Sequence, residues 1–414
     1  MFVRLKYSKL SNRFAGNIFR KRIGWGKQLT KLLKFFYLLI LLTVEIIGDL
    51  LFLWKRFSCK KNINPEKILI ARIDQFGDVL FSTFLVSLIK KKYPNTEVHY
   101  LVHPKTKVLL EKNPNIEQIY FWQDFFLHFI IGRPEGRRKK RSFWQITQDN
   151  IQTLKLLKKE KYDVIINSRA YSPSWNFFWK LAQPACLVSF DISEQSFLSD
   201  YQISYNFHEE DWKNHLRLLK PLGIEGKDCC FSPQFFNCDY QGLKKKAKLS
   251  KDFVVISPVS FDKERLWDRD SWQGVIRFLI GEDFEVVLIG LESQKPYLLE
   301  IASLMKSDKV RILTNLSIPE LASLIKLSKF VLCIDSFITH LSIALRKQVI
   351  CLINEEVYYL KGVSKPRWVI DAKSMVPLIP NVTILSTLRT KSSLLIDYCK
   401  KLIESERKTN SLLW

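Results

Sequence analysis

The sequence lacks the closely spaced cysteine pairs that hold structural metal ions. Its eight cysteines are scattered, no Cys-x-x-Cys pair occurs, and Cys229 and Cys230 are adjacent. Structural zinc sites usually draw ligands from such pairs, so we expect no metal site. Cys333 and Cys351 lie in apolar runs and are predicted to be buried thiols, which is typical of a reducing, cytosolic compartment.

Acidic residues are scarce in the first 61 residues. This segment holds 14 Lys or Arg against two acids, Glu45 and Asp49, and so contributes half of the net charge of +24. Such an excess indicates an anionic partner. Because the charge is concentrated in one segment, it favours a basic arm beside a membrane over a nucleic-acid groove. No nucleic-acid partner is therefore expected.

A long apolar run extends from Phe35 to Trp54 within this arm. It lies far from the first residue and lacks the small-residue cleavage site of an ordinary signal peptide. Glu45 and Asp49 share one helix face, as expected for an amphipathic helix in the membrane interface. A spanning helix and a helix packed on the protein are the alternatives. We expect residues 31–56 to bind an anionic membrane surface, peripherally or as an anchor.

Apolar runs alternate with helical patterns after Pro65. Strands are predicted at 67–72, 97–102, 116–122, 162–168 and 186–190, and a helix at 81–94. A second block follows the polar stretch 241–252, with strands at 253–258, 284–290, 310–313, 330–335 and 349–353. This alternation predicts two α/β domains with doubly wound parallel sheets, which face each other across a ligand-binding cleft.

The predicted organisation has four segments. They are a membrane-associating arm (1–61), a first α/β domain (62–240), a second α/β domain (253–390) and a C-terminal helix and tail (391–414). Within the first domain, five consecutive basic residues run from Arg137 to Arg141. They form either a solvated loop or a loop that touches anionic lipid or a phosphorylated acceptor.

The turn RIDQFGD, from Arg72 to Asp78, follows the first predicted strand. Ligands of open parallel sheets bind at this edge, and Gly77 permits a tight turn there. Asp78 is either a helix-start carboxylate or a general base that removes a proton from an acceptor hydroxyl. Arg72 either pairs with a carboxylate or holds an acceptor phosphate.

Three stretches of the second block end strands with polar side chains. Their candidate ligand-binding residues are Ser260, Lys263, Arg265, Glu292, Asp335, Ser336 and His340. Hydroxyls, cations and a helix N-terminus together suit a diphosphate, and Glu292 suits a ribose hydroxyl. The alternatives are that Asp335 or Ser336 caps the helix and that His340 is merely packed.

Four motifs in this order resemble glycosyltransferase family 9, whose members include bacterial ADP-heptose–lipopolysaccharide heptosyltransferases. They are KILIARIDQFGDVLFSTFLVSLIKKKYPNTEVHYLV, SPVSFDKERLWDRDSWQGVI, FEVVLIGLESQ and CIDSFITHLSIAL. The resemblance covers residues 66–120 and 250–353. It implies a GT-B fold and inverting, metal-independent transfer, without a cofactor, from a nucleotide-diphosphate sugar to a lipid-linked glycan.

The resemblance also assigns roles by position. Asp78 matches the family's catalytic Asp, Arg265 stands where the family has a donor-phosphate Lys, and Asp335 and His340 match the donor-binding turn. Two positions depart from the family: Phe337 replaces a Gly, and Asn354 with the two following residues replaces Gly-Pro-Thr. Both departures affect the donor site. A catalytically degenerate GT-B-like binding or scaffold protein at the membrane is therefore the alternative function.

Overall fold

The chain divides into two compact units, Met1–Cys230 and Phe231–Trp414. The computed structural model describes Thr43, Ile47 and residues 63–123, 142–170, 175–193, 195–206, 211–225, 242–243, 249, 252–260, 263–305, 307–354, 382–387 and 390–411. The predicted membrane helix at 31–56, the basic run Arg137–Arg141 and most of 226–251 lie outside these residues. The predicted domain bounds remain a prediction.

Unit 1 contains strands and helices in alternation. Its strands are β1 (Lys67–Ala71), β2 (Glu97–Val102), β3 (Gln118–Phe121), β4 (Val164–Asn167), β5 (Cys186–Phe190) and β6 (Tyr201–Ile203). Its helices are α1 (Phe76–Ser82), α2 (Phe84–Lys92), α3 (Phe143–Glu160), α4 (Asn176–Leu181) and α5 (Asp211–Arg217), with short 3-10 turns at Pro104–Leu109, Ser196–Leu198 and Lys220–Leu222.

The six strands of unit 1 form one parallel sheet in the order β3-β2-β1-β4-β5-β6. The chain moves outward from β1 to β3 and then returns to β4, so the strand order reverses between β1 and β4. In a doubly wound sheet, the crevice at the carboxyl end of these two strands is the expected ligand site. The turn after β1 contains Arg72 and leads into α1, so the topology places the candidate residues at this crevice.

Unit 2 repeats this plan. Its strands are β7 (Phe253–Ser257), β8 (Glu285–Gly290), β9 (Val310–Thr314), β10 (Val331–Ile334), β11 (Val349–Ile353) and β12 (Val382–Ser386). Its helices are α6 (Arg269–Gly281), α7 (Lys295–Ala302), α8 (Ile318–Leu327), α9 (Phe337–Ala344) and α10 (Ser392–Ser411), with 3-10 turns at Lys263–Arg265 and Glu292–Gln294. The sheet order β12-β11-β10-β7-β8-β9 is parallel throughout and reverses between β7 and β10.

The two Rossmann-like units confirm the predicted fold class, and their central strands explain it. Strands β4, β5, β7, β10 and β11 are buried at every position. Continuous apolar runs of this kind are typical of parallel strands covered on both faces. Helix α10 completes the second unit, since Leu395, Cys399 and Ile403 belong to its hydrophobic core. The indole Nε1 of Trp267 donates to Thr390 O at 3.1 Å, just before that helix.

Two details differ from the sequence prediction. The helix predicted at 81–94 begins earlier, at Phe76, and is interrupted at Thr83, whose hydroxyl donates to Leu80 O at 2.7 Å. The edge strands β6 and β12 were not predicted. Within the described residues, no helix has the length and apolar character needed to cross a membrane.

A polar cluster around the buried residues His99 and Tyr162 lies near the amino ends of β1 and β2, at the opposite edge from Arg72. The Nδ1 atom of His99 is 2.9 Å from the Tyr162 hydroxyl. Lys67 pairs with Glu160 at 2.7 Å and with Glu97 at 3.2 Å, and the Tyr120 hydroxyl donates to Glu160 at 2.7 Å. Burial lowers the pKa of His99 below the ordinary value of 6.5.

This pKa shift predicts a pH-dependent stability. The unfolded chain takes up a proton at His99 at a higher pH than the folded chain does. The stability that His99 contributes is therefore complete above about pH 6.5 and is lost as the pH falls below that value. Thermal unfolding followed by circular dichroism at about pH 8 and about pH 5.5 should show a smaller acid-induced fall in Tm for His99→Gln than for wild type. An equal fall in both proteins would contradict the prediction, since the other histidines are unchanged.

Candidate functional site

At the carboxyl end of β1, Arg72 is a buried arginine with a 1% exposed side chain. Its backbone N–H donates to Leu101 O at 2.9 Å, which fixes the chain beside β2. Its Nε lies 2.9 Å from Asp74 Oδ2 and forms an ion pair with it. The Nε–H bond does not point at this oxygen, so the contact is not a hydrogen bond. Its Nη2 donates to Asp78 Oδ1 at 3.3 Å. Of the two expectations for Arg72, the structure shows carboxylate pairing.

Asp78 is the third residue of α1 and lies in its first turn. The helix begins after Gln75, whose side chain makes no capping hydrogen bond. The side chain of Asp78 is 33% exposed, whereas its partner Arg72 is buried. Asp78 is thus a helix-start residue. The Arg72 guanidinium also holds its carboxylate, which remains accessible to solvent. A general base needs a carboxylate that solvent-side groups can reach, and Asp78 is such a carboxylate.

Asp74 and Arg169 extend this site, and neither was singled out from the sequence. Asp74 is 4% exposed and lies between two arginines, with its Oδ1 3.3 Å from Arg169 Nε. Arg169 follows β4 and its Nη1 donates to Ile73 O at 3.1 Å. Two guanidinium groups therefore face the carboxylates of Asp74 and Asp78. The matched charges offset the cost of burying them.

His215 of α5 is fully buried and was also missed. Its Nε2 lies 2.9 Å from Arg72 Nη1 and 3.0 Å from Ser168 O, and Arg72 Nη1 donates to that carbonyl as well. Arginine only donates hydrogen bonds, so His215 Nε2 accepts from Arg72 when it carries a lone pair, whereas the same atom would need a proton to donate to Ser168 O. The rings of Phe81 and Phe190 meet the imidazole edge-on and fix its plane.

Some of the missed site residues could have been predicted from the sequence, because they directly follow a predicted strand. Ser168 and Arg169 directly follow β4, the strand that neighbours β1 across the order reversal. Polar residues at that place belong to the ligand crevice by the same rule that singled out Arg72. His215 carries no such signal, because it comes from a short helix distant in sequence.

In unit 2, Arg265 and Asp335 come together at the corresponding order reversal. Arg265 ends the 3-10 turn after β7, and Asp335 directly follows β10. The Nη1 atom of Arg265 donates to Asp335 Oδ2 at 3.0 Å and lies 3.3 Å from Asp335 O. Their side chains are 26% and 6% exposed, respectively. The carboxylate is thus buried beneath a guanidinium that is partly open to solvent.

Helix α9 begins directly after this pair. Ser336 is its N-cap, and its hydroxyl accepts from Ile338 N at 3.3 Å. The capping alternative is therefore correct for Ser336, although a hydroxyl that accepts one bond can still donate its own proton. Phe337 is the first helical residue and is half-buried; it is not among the residues with positive φ. The backbone there does not need the glycine of the family pattern.

The remaining donor candidates lie around this centre at neighbouring strand ends. His340 is half-buried on the second turn of α9, Ser260 is half-buried after β7, and Lys263 is exposed. Glu292 follows β8; its Oε2 accepts from the Thr314 hydroxyl, and Asn315 Nδ2 lies 3.3 Å from it. The hydrogen bond from Thr314 lowers the pKa of Glu292. Glu292 therefore stays a carboxylate near neutral pH, as an acceptor of hydroxyl protons must.

No group of three or more His, Cys, Asp or Glu residues placed to hold a metal ion occurs among the described residues. Arginine, lysine, histidine and a helix N-terminus are thus the positive groups that the described strand ends offer to an anion. Such groups bind phosphate oxygens through hydrogen bonds and electrostatic attraction.

Two doubly wound units of this kind make up the GT-B fold. The family described as glycosyltransferase family 9 (heptosyltransferase) matches residues 151–355. This match confirms the resemblance noted from the sequence motifs: the chain is a glycosyltransferase similar to the family 9 heptosyltransferases.

Its relatives agree with this assignment. Lipopolysaccharide heptosyltransferase 3 of Escherichia coli is 22% identical over 301 residues, which cover 67% of this chain and 80% of that protein. Lipopolysaccharide heptosyltransferase 1 of Campylobacter coli is 21% identical over 313 residues, which cover 71% of this chain and 85% of that protein.

Solved structures share the fold. The glycosyltransferase family 9 protein of Veillonella parvula superposes with a TM-score of 0.63 at 14% identity, over 84% of this chain and 99% of that chain. The E. coli heptosyltransferase WaaC with ADP superposes with a TM-score of 0.62 at 15% identity, over 81% of this chain and 99% of that chain.

The contact between His215 and Arg72 predicts a positioning effect on sugar transfer. Loss of one hydrogen bond to a charged group costs about 1.5–3 kcal/mol, so His215→Leu should lower kcat about tenfold or more. The KM for the donor should not change, because His215 lies in the other unit from the donor candidates. In His215→Gln a neutral acceptor is retained at similar reach, and much of the rate should return.

His99→Gln is the matched control, since it replaces a second buried histidine of the same sheet at the opposite edge. It should leave kcat unaltered. Steady-state kinetics and the Tm of each variant provide the check. If Leu and Gln at position 215 lower kcat equally at unchanged Tm, the imidazole does not act as an acceptor for Arg72.

Proposed function

We propose that this chain transfers a heptose-like sugar from a nucleotide-diphosphate donor, such as ADP-heptose, to a lipopolysaccharide core or a related surface glycan. Relatives named lipopolysaccharide heptosyltransferases support the substrate class. Related structures of WaaC with ADP and with ADP-2-deoxy-2-fluoro heptose support the nucleotide. The reaction is a single displacement, it inverts the anomeric carbon, and it needs no metal ion.

Asp78 acts as the general base in this proposal. The acceptor oxygen attacks the anomeric carbon, and its proton passes to the carboxylate of Asp78. The bond from the anomeric carbon to the diphosphate oxygen breaks, and the nucleotide diphosphate leaves with the electron pair. Arg72 holds the carboxylate through its contact at 3.3 Å, while Asp74 and His215 hold Arg72. A contact between Arg72 and an acceptor phosphate stays a prediction.

The leaving diphosphate gains negative charge as the bond breaks, and unit 2 supplies the compensating groups. Arg265 contacts the diphosphate, and buried Asp335 acts through it by fixing the guanidinium. His340, Lys263 and the N-terminus of α9 add positive charge, and Ser260 and Ser336 donate hydroxyl protons. Glu292 accepts from the ribose. Preorganised donors of this kind stabilise charge without a metal ion.

The observation that carries the proposal is the pair of Asp78 and Arg72 at the order reversal of unit 1. The side chain of Asp78 is one-third exposed, whereas that of its partner Arg72 is buried. An acceptor hydroxyl can therefore reach the carboxylate, which a fully buried structural carboxylate would not allow. The enzyme works at the cytoplasmic face of the bacterial inner membrane, where lipid-linked acceptors lie, and residues 31–56 attach it there.

Replacement of Asp78 tests the base directly. Asp78→Asn keeps the size of the side chain but cannot take the proton, so kcat should fall about 100-fold or more. Donor affinity and Tm should change little. Asp270→Asn is the matched control, because Asp270 is also a first-turn helix carboxylate but lies 77% exposed in α6. Transfer to a membrane extract is the assay. An unaltered rate for Asp78→Asn would reduce Asp78 to a helix-start residue.

The alternative, a degenerate binding protein, is favoured by Phe337, whose ring stands where the family has no side chain. Asn354 of the second departure is described, and its Nδ2 donates to Glu264 O at 2.5 Å; the two residues after it lie outside the described part. This contact joins the end of β11 to the 3-10 turn that carries Arg265. The departure at Asn354 therefore supports the position of the donor candidate.

Donor binding separates the two functions. Arg265→Ala removes a charged hydrogen-bond donor, so nucleotide-sugar affinity should fall about 10- to 100-fold. Arg269→Ala is the control, since Arg269 is half-exposed and pairs with Asp270 at 3.6 Å. Titration calorimetry should show little change for this control and little gain for Phe337→Gly. If wild type binds no nucleotide sugar and Phe337→Gly restores binding, the chain is a degenerate relative.

A further inference from the structure

Most of the exposed large apolar side chains of unit 1 lie on two helices. Between residues 63 and 225, the described residues of this kind are Phe121, Trp144, Ile151, Leu156, Phe177 and Leu181. Five of the six belong to α3 or α4, whereas Phe121 ends β3 and points to the other face of the sheet, because its neighbour Tyr120 packs on the α3–α4 side. Single exposed apolar residues need no explanation, but five in one layer form a patch.

Helices α3 and α4 cover one face of the sheet. Leu157 and Trp179 pack with Leu69, Ile165 and Leu187 in a single core cluster. The opposite face is covered by α1 and α5, where Phe81 and His215 meet edge to face. The exposed apolar residues of α3 and α4 therefore stand on the outer surface of one helical layer, away from the sheet. We call this surface, formed by the exposed residues of α3 and α4, the outer α3–α4 face.

The sequence of α3 produces a mixed apolar and basic stripe. Its buried residues are Ile146, Asn150 and Leu157. With 3.6 residues per turn, Trp144, Ile151, Lys155 and Lys158 lie on the side opposite to that buried face. Trp144 is 77% exposed and Ile151 is 49% exposed.

The charge on this face has one sign. Lys155, Lys158 and Lys159 are exposed on α3. The described acids of α3 and α4 are Asp149 and Glu160, and both are half-buried. Glu160 is bound by Lys67 and Tyr120 below the helix, and Asp149 lies 3.4 Å from Gln123 Nε2. The outer surface thus combines an exposed tryptophan, aliphatic side chains and lysines without an exposed carboxylate.

We propose that the outer α3–α4 face binds an anionic lipid bilayer. Tryptophan and aliphatic side chains enter the interface between headgroups and acyl chains, and the adjacent lysines attract anionic headgroups. A nucleic acid would use the lysines but not the apolar patch, and a protein partner would not require the absence of carboxylates. This contact is separate from residues 31–56 and lies on a different segment of the chain.

The lysines give the first test, which uses the full chain so that the contribution of the N-terminal segment is the same in every variant. Lys155→Glu with Lys158→Glu should weaken binding to phosphatidylcholine–phosphatidylglycerol vesicles about tenfold or more. Lys91→Glu with Lys220→Glu changes the net charge equally on the opposite side of the sheet, where both lysines are exposed. This control should weaken binding clearly less. Equal weakening by both pairs would overturn the proposal, because only net charge would then matter.

Trp144 gives the second test. Brominated acyl chains quench tryptophans that enter the bilayer, so Trp144→Phe should reduce the quenched fraction of the total fluorescence. An unchanged quenched fraction would overturn the proposal. Analytical ultracentrifugation and DNA titration complete the design. If the lysine variant alters oligomeric state or DNA binding while vesicle affinity is unchanged, the face serves a second copy or a nucleic acid, and the proposal fails. Transfer to a soluble acceptor should be unaffected, which separates this inference from the proposed function.

Discussion

Reversal of strand order within each parallel sheet determines where the chemistry of this protein can occur. The connections after β1 and β4 leave toward opposite faces of the first sheet, and those after β7 and β10 do the same in the second. At that point the neighbouring strand ends are not covered by a common helix, so backbone and polar side chains can meet a ligand. The turns after these four strands carry Arg72, Arg169, Arg265 and Asp335.

Much of this arrangement follows from the sequence, because continuous apolar runs and the polar residues that end them are local signals. The predicted strands correspond to ten of the twelve strands found in the described part of the chain. The missed strands β6 and β12 lie at sheet edges. An edge strand pairs on one side alone and needs no continuous apolar run, so hydrophobic pattern gives little sign of it.

The candidate site was predictable where its residues follow strands and unpredictable where they come from elsewhere. Asp78 and Arg265 were found through turn position and motif. The contacts of Asp74 with two arginines, and of His215 with Arg72, depend on tertiary packing between segments up to 143 residues apart. No local pattern records such a contact. Ser336 is the opposite case. Its role as a helix cap depends on neighbouring residues in the sequence, and the structure shows that cap.

The two arginine sites differ in burial, and this difference fits two kinds of task. Arg72 is 1% exposed and is surrounded by two carboxylates, a carbonyl and an imidazole. Loss of any partner would leave a buried charge poorly compensated, which is costly, so Arg72 is suited to fix a neighbour in place. Arg265 is 26% exposed and pairs with the buried carboxylate of Asp335. Asp335 thus orients the guanidinium, part of which still faces solvent. An arginine held in this way can meet a phosphate with little loss of side-chain entropy, because its partner has already ordered it.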